Sequence, residues 1–414
     1  MKLGLAAIDA VCERLGRPER RVPSVLVAGT NGKGSAAATL SAIARAGDVR
    51  AGLYTSPHLA RAGERIRVGD ADVSDGELEA ALEPVFRAAD GAPALPLTYF
   101  ETLTAAAFVA FSDRDLDLSI LEVGLGGRYD ATNVARARLS VVTSIGLDHT
   151  EELGSTLSAI AREKAGIFRW GWPALIGPRE KEPREALLRA AQECGALAHV
   201  AADEVRISAV TTTADGTRFS VETPCGRSDL ATPLPGRHQA DNAALAVRAA
   251  ELLSEDYPRF QPSVISAGVA STRWPGRLEK MSLRGRTVLL DGCHNPQAAS
   301  ALAQFLEDAG LAGRVLLVFG AMADKDVEAM AATLFPAFSS VRLVTAPSAR
   351  AATADELRRR TAGIRPDAIP AQSLEEALSA LAAESDPAPI IVAGSLYLVG
   401  EARILILSGK LEDE

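Results

Sequence analysis

The stretch Ala28-Gly29-Thr30-Asn31-Gly32-Lys33-Gly34-Ser35 constrains the fold more than any other part of the chain. Before it, Val25-Leu26-Val27 is an apolar run that reads as a buried strand; after it, the alanine-rich run 36–46 reads as a helix. Strand, glycine-rich turn and helix is the layout of a phosphate-binding loop. Glycines let the backbone turn tightly and aim its N–H groups at an anion, and the helix adds its positive N-terminal end. Lys33 is suited to the terminal phosphates and the Ser35 hydroxyl to Mg²⁺. Gly34 separates the lysine from the serine, a departure from the common spacing. A plain strand-to-helix connection is the bland alternative, and the lysine, the serine and both flanking elements argue against it.

The rest of the chain alternates in the same way. Residues 1–22 read as an amphipathic helix and a basic turn, Arg17 to Arg21. Strands are expected at 25–28, 51–55, 118–123 and 141–145, with helices at 36–46, 75–89, 98–111 and 155–168. This alternation predicts a parallel sheet covered on both faces, with ligands at the carboxyl ends of the strands. Residues 205–222 alternate and turn at Asp215-Gly216, which predicts a hairpin, and a helix is expected at 238–253. The stretch 271–277 reads as a hinge. A second alternating section follows, with strands at 288–290, 315–319, 341–344 and 390–393.

Composition narrows the classes. Of 414 residues, 47% are hydrophobic and 23% charged, which fits a globular chain with a sizeable core, in two or three domains. A net charge of -9 argues against non-specific nucleic-acid binding. The four cysteines, at 12, 194, 225 and 293, form no CxxC pair, so neither a zinc cluster nor a disulfide framework is indicated and a reducing compartment is expected. Asp9 and Glu13 interrupt the first apolar residues, unlike a signal peptide, and no apolar run is long enough to cross a membrane. A cytoplasmic protein without a membrane partner is expected.

Several polar groups fall just after expected strand ends. Glu122 ends an apolar strand and suits Mg²⁺, directly or through water, although a surface glutamate is the bland reading. Gly124-Leu125-Gly126-Gly127-Arg128 follows and implies close approach to an anion or to another backbone. Asp148-His149 follows the next strand. His58, His149, His238 and His294 lie at element ends, which favours site roles for some of them, with His199 the exception. Mg²⁺ prefers oxygen, so a histidine ligand is weak evidence taken alone. Thr55-Ser56-Pro57-His58 reads as a proline turn, with Ser56 able to reach metal or phosphate. Lys164, in Arg162-Glu163-Lys164-Ala165-Gly166, fits a solvated charged face; near metal ions it would serve only if neutral or converted to a carbamate. Asp291, before Gly292-Cys293-His294-Asn295-Pro296, suits a ribose hydroxyl or the orientation of a phosphate-contacting group. Cys293 reads as a packing residue.

These stretches, in order, carry a resemblance. The sequence is similar to the folylpolyglutamate synthase and dihydrofolate synthase family, a branch of the Mur-type ATP-dependent amide ligases. The matching segments include Gly29 to Ser35, Thr55 to Leu59, Phe100 to Thr104, Glu122 to Arg128, Asp130 to Asn133 and Thr143 to Thr150. They continue with Glu163 to Ile167, Gly236 to Gln239 with Asn242-Ala243, Trp274 to Arg277, Asp291 to Pro296, Asp324-Lys325-Asp326 and Gly394 to Tyr397. The inserted Gly34 is the usual form in this branch. Cys293 stands where alanine is common and Tyr129 where leucine is common.

The resemblance implies an α/β fold: an N-terminal P-loop ATPase domain with a parallel sheet, residues 1–275, and a smaller C-terminal Rossmann-like α/β domain, residues 276–414. It implies a monomer whose small-molecule substrates are ATP, L-glutamate and dihydropteroate or a reduced folate. ATP would convert the substrate carboxylate to an acyl phosphate, which the glutamate amine attacks. Lys33 and the loop from Gly29 through Thr30, Asn31, Gly32 and Gly34 to Ser35 would bind the phosphates. Ser56 and Glu122 would hold one Mg²⁺; His149 and a carbamylated Lys164 would hold a second. Asn242 would meet the adenine and Arg277 the phosphates, and Asp291 and His294 would complete the site. The stretch Leu97-Thr98-Tyr99-Phe100-Glu101 resembles bifunctional bacterial members, which points to both ligations. The competing expectations are a single-activity folylpolyglutamate synthase, another Mur-type amino-acid ligase and an ATP-hydrolysing regulatory protein.

Overall fold

The computed structural model describes residues 4–384 and 387–411, so the first three residues of the expected N-terminal helix and the last three of the chain lie outside the described residues. Two large sheets organise the chain. The first contains β1 (Ser24–Ala28), β2 (Ala51–Tyr54), β3 (Ile66–Val68), β4 (Ala71–Asp72), β5 (Leu118–Glu122), β6 (Ala137–Val142), β7 (Pro173–Ile176) and β8 (Leu197–Val200). Their order is β4-β3-β2-β5-β1-β6-β7-β8. Only β3 and β4, at one edge, run antiparallel to their neighbours; the other pairs are parallel.

The alternation of side chains across this sheet explains why both faces are covered. Leu26 and Ala28 of β1 join one apolar cluster with Phe108, Phe111 and Ile160. Val25 and Val27 join another with Ile43, Val247 and Val269, from the phosphate-loop helix Lys33–Ala46 and the helices Arg237–Leu252 and Pro262–Ala270. The helices Asp75–Asp90 and Tyr99–Asp113 begin with reciprocal capping boxes, Ser74 with Glu77 and Thr98 with Glu101.

A three-stranded antiparallel sheet follows: β9 (Arg206–Thr213), β10 (Gly216–Thr223) and β11 (Gly226–Thr232). It contains the expected hairpin and adds a strand to it. The expected hinge is the connection from the helix Pro262–Ala270 to β12 (Arg277–Leu283). The second sheet adds β13 (Arg286–Asp291), β14 (Leu316–Phe319), β15 (Ser340–Leu343), β16 (Ile369–Pro370) and β17 (Ile390–Ala393), in the order β12-β13-β17-β14-β15-β16. All pairs but β12 with β13 are parallel. Successive residues of β17 again serve two clusters: Ile391 and Ala393 on one face, Ile390 and Val392 on the other.

Most boundaries shift by one to three residues, and two of the differences bear on the site. The strand expected at 141–145 is β6, which starts at Ala137 and ends at Val142. Thr143 and Ser144, just past its end, keep backbone bonds to Ala28 and Thr30 and turn their hydroxyls to the Asn31 carbonyl, at 2.7 and 2.9 Å. The helix expected at 155–168 is Leu157–Lys164, and a 3₁₀ turn, Ala165–Ile167, follows it. Among the described residues no helix is long and apolar enough to cross a membrane. All four cysteines are free.

Candidate active site

Because β2, β5, β1 and β6 lie side by side and parallel, their carboxyl ends open on one edge. That edge gathers Ser56 after β2, Glu122 at the end of β5, the loop after β1 and Thr143 to His149 after β6. Across from it stand Asp291, at the end of β13, and His294 beyond it. One cavity of about 590 Å³ lies between them. Every residue expected from the sequence to form the site borders it: the loop 29–35, Ser56, Glu122, His149, Lys164, Asn242, Arg277, Asp291 and His294.

Side chains after β6 hold the loop in shape. The Asn31 N–H donates to Ser144 Oγ at 3.0 Å, and Thr30 Oγ1 donates to the Gly146 carbonyl at 3.1 Å. Gly32 caps the following helix in the left-handed region, φ 85°, with no side-chain cap. The first-turn N–H groups are therefore left for an anion. A Cβ on Gly32 would collide with the Asn242 carboxamide, and one on Gly34 would lie 2.6 Å from the Trp274 ring. Lys33 is the first residue of the helix rather than a loop residue. Its Nζ donates to the carbonyls of Gly29 and Thr30, at 3.0 and 3.1 Å.

Lys164 is not on a solvated face. It is 5% exposed and donates to the Gly29 carbonyl at 2.9 Å. Burial, then the nearby charge of Lys33, pushes its pKa down to about 7. Burial also lowers Lys33, against the pull of Glu122. Glu122, 5% exposed, accepts the Ser56 N–H at 3.1 Å, which brings the two expected metal ligands together. Its pKa is raised by burial and pulled back by Lys33. Of the glycines at 124, 126 and 127, Gly127 approaches another backbone, one of the two alternatives left open by the sequence, while Gly124 and Gly126 face the side chains of Phe100 and Leu153. A Cβ on Gly127 would lie 2.8 Å from the carbonyls of Glu163 and Lys164. Buried Asp130 fixes that loop by accepting from the Leu125 and Thr132 N–H groups at 2.9 and 3.0 Å.

The second sheet supplies Asp291, whose carboxylate accepts from the N–H groups of Leu278 and Cys293, at 3.1 and 3.0 Å. Burial raises its pKa and the Arg277 charge opposes this. His294 is within hydrogen-bond distance of the Gly292 carbonyl, 2.8 Å, and burial lowers its pKa to about 4. His149 is half-exposed and left-handed, φ 50°, and burial lowers its pKa. Asn242 donates to Gln239 at 3.1 Å. Cys293 is buried, which pushes its thiol well up, as expected for a packing residue.

The sequence reading assigned no role to some groups that the fold brings in. Asp148 receives Lys325 Nζ at 2.7 Å. Burial would raise the Asp148 carboxyl, but the Lys325 hydrogen bond and charge outweigh it and hold it near about 2. Half-buried His238 and exposed Gln297 and Arg350 also border the cavity. Asp148 and Lys325 lie in motifs named above; nothing local to Gln297 or Arg350 marks them.

No group of three or more His, Cys, Asp or Glu side chains among the described residues is arranged to hold a metal ion. Mg²⁺ does not need one. It keeps several waters and binds through one or two carboxylates plus substrate phosphates. Glu122 beside Ser56, next to a phosphate loop, fits that mode.

A phosphate loop facing a second α/β sheet across one cavity defines a nucleotide-dependent enzyme with a two-part active site. The Mur ligase middle domain matches residues 27–250, and the Mur ligase glutamate ligase domain matches residues 276–396. The dihydrofolate synthase/folylpolyglutamate synthase of Mycobacterium tuberculosis is 36% identical, over 97% of this chain and 89% of that protein. The folylpolyglutamate synthase of Lacticaseibacillus casei is 34% identical, over 96% of this chain and 92% of that one. The solved structure of E. coli FolC in complex with DHPP and ADP superposes with a TM-score of 0.89 at 34% identity, covering 99% of this chain and 94% of that one. The chain belongs to the folylpolyglutamate synthase/dihydrofolate synthase family of Mur ligases.

Proposed function

We propose that this chain ligates L-glutamate to the carboxylate of dihydropteroate and of a reduced folate, using ATP. One observation carries the reading: Lys33, Lys164 and Glu122 share a single cavity with Arg277, Asp291 and His294 of the second sheet. The names of the relatives support the folate and glutamate substrates, and the ADP in related structures supports the nucleotide. Both activities are proposed because several relatives, including those of M. tuberculosis and E. coli, carry both names.

In this reading the loop N–H groups and Lys33 bind the ATP phosphates, Arg277 adds a second cation, and Asn242 meets the adenine. The substrate carboxylate oxygen attacks the γ-phosphorus and ADP departs. The glutamate nitrogen then attacks the acyl carbon, the C–O bond to phosphate breaks, and the amine loses a proton as the amide forms. Asp291 and His294 complete the site from the second sheet. Two Mg²⁺ ions fit the donor set, one on Ser56 and Glu122 and one on His149 and a carbamylated Lys164, and when bound they would neutralise phosphate charge. The lowered pKa of Lys164 supports the carbamate, because a neutral amine is the form that adds CO₂. The two units divide between Pro275 and Gly276, and the protein works as a cytoplasmic monomer without nucleic-acid or membrane partners.

Isotopic labelling of the substrate carboxylate tests the chemistry. Transfer of one labelled oxygen to the released phosphate is expected. Its absence, with amide still formed, would exclude the acyl phosphate.

A further inference from the structure

The cleft is bridged by side chains that the ligation chemistry leaves unused. Asn31, in the phosphate loop, and Asn295, after β13, exchange carboxamide hydrogen bonds. Asn31 Nδ2 donates to Asn295 Oδ1 at 3.3 Å, and Asn295 Nδ2 donates back to Asn31 Oδ1 at 3.0 Å. Asn31 Nδ2 also donates to Gln297 Oε1 at 2.8 Å. Asn295 Nδ2 reaches Asp148 Oδ2 at 3.2 Å, and the other Asp148 oxygen takes Lys325 Nζ. Asn295 is 2% exposed.

The two ends of Asn295 are not equivalent. Its oxygen caps the helix Pro296–Asp308 by accepting the Ala298 N–H at 2.9 Å and also takes the longer bond from Asn31 Nδ2, at 3.3 Å. Any good N-cap oxygen would cap the helix. Its nitrogen serves only the opposite side of the cleft, at the loop and at the segment after β6. These are the two segments that are stitched together through Ser144 and Asn31. A cap alone would not require asparagine, whereas a donor that spans the cleft does.

We propose that Asn295 is a positioning residue that clasps the phosphate loop to the second sheet, and that this clasp keeps water from the acyl phosphate until the amine attacks. The inference rests on the ligase reading. If the clasp opens, a water oxygen attacks the acyl carbon, the C–O bond to phosphate breaks, and the carboxylate is regenerated. ATP is then hydrolysed to ADP and phosphate with no amide formed.

The test measures amide formed and phosphate released in one reaction with Mg·ATP, glutamate and tetrahydrofolate. Asn295→Ser retains a capping oxygen but is too short to reach Asn31 or Asp148. Gln297→Ala, at an exposed position, removes one strand of the clasp and leaves the cap intact. Stabilisation by ADP confirms that each variant is folded. The wild type is expected to form one amide per phosphate. In Asn295→Ser, which loses both bonds of the Asn295 nitrogen, that ratio is expected to fall by at least roughly fivefold, the factor that corresponds to one lost hydrogen bond of ordinary strength, and in Gln297→Ala by less. A ratio near one in both folded variants, whatever their turnover, would overturn the clasp and leave Asn295 a helix cap. A wild type with no glutamate-dependent turnover would instead overturn the ligase reading beneath it.

Discussion

Lys33 and Lys164 donate to the same carbonyl oxygen, that of Gly29, at 3.0 and 2.9 Å. The two residues lie far apart in sequence, yet their ammonium groups converge on one atom behind the phosphate loop. Two like charges in a buried space repel, and the Lys33 charge adds to burial in disfavouring the protonated form of Lys164. Lys164 is pushed down to about 7, and burial lowers Lys33 as well.

For this reason activity is expected to rise with pH through about 7. The folded pKa of Lys164 is lowered, so its proton is present below that value, where the ammonium cannot add CO₂, and is lost above it. Bicarbonate is expected to raise activity near neutrality, and labelled bicarbonate to give a carbamate carbon signal that is absent from Lys164→Ala. Partial rescue of Lys164→Ala by short carboxylic acids is the companion result. Full activity of Lys164→Ala without rescue would contradict the carbamate.

Lys33→Ala is expected to reduce kcat/KM by about 10²–10³-fold, the range seen when one donor to developing charge is removed. Among the described residues its ammonium bonds to carbonyls of the loop itself, so the circular dichroism spectrum should be preserved. Near-wild-type turnover in the folded variant would remove Lys33 from the phosphates.

Gly32→Ala addresses nucleotide binding without touching a charge. The left-handed φ of 85° strains any L side chain, and the added methyl displaces the Asn242 carboxamide. A strain of about 1–3 kcal/mol is typical, so calorimetry should find ADP bound about tenfold or more weakly. Unchanged ADP affinity would mean that the loop geometry does not set nucleotide binding.

Away from the site, Glu77 closes the capping box of the helix Asp75–Asp90 and accepts from Arg114 at 2.8 Å. The Ser74 backbone and hydroxyl, then Arg114, hold its pKa near about 2 against an ordinary 4.5. A depressed carboxyl stabilises the fold above its ordinary pKa and loses that contribution as pH falls through the depressed one. Glu77→Gln should therefore lower the melting temperature at neutral pH, and the gap should close as pH falls from 4.5 towards 2. A gap independent of pH would show that the charge is not what matters.

The central strands and the phosphate loop were legible because each follows a local rule: an apolar run, then glycines, then helical periodicity. The short strands were not. β3 has three residues and β4 two, too few for any period to register, and β7 opens with a proline. The site was legible wherever polar residues follow a strand end, as with Glu122 and Asp291. Lys164 was legible only through resemblance, because its burial depends on packing against a loop distant in sequence. The pairing of Asn31 with Asn295 has no local signature at all: both are ordinary polar residues until two sheets meet.

The most direct measurement is glutamate-dependent phosphate release from Mg·ATP, with dihydropteroate and tetrahydrofolate offered separately. Turnover with both, each forming one glutamyl amide, is the expected result. Turnover with one alone would narrow the enzyme to that ligation. ATP hydrolysis indifferent to glutamate and to both acceptors would contradict the folate ligase account.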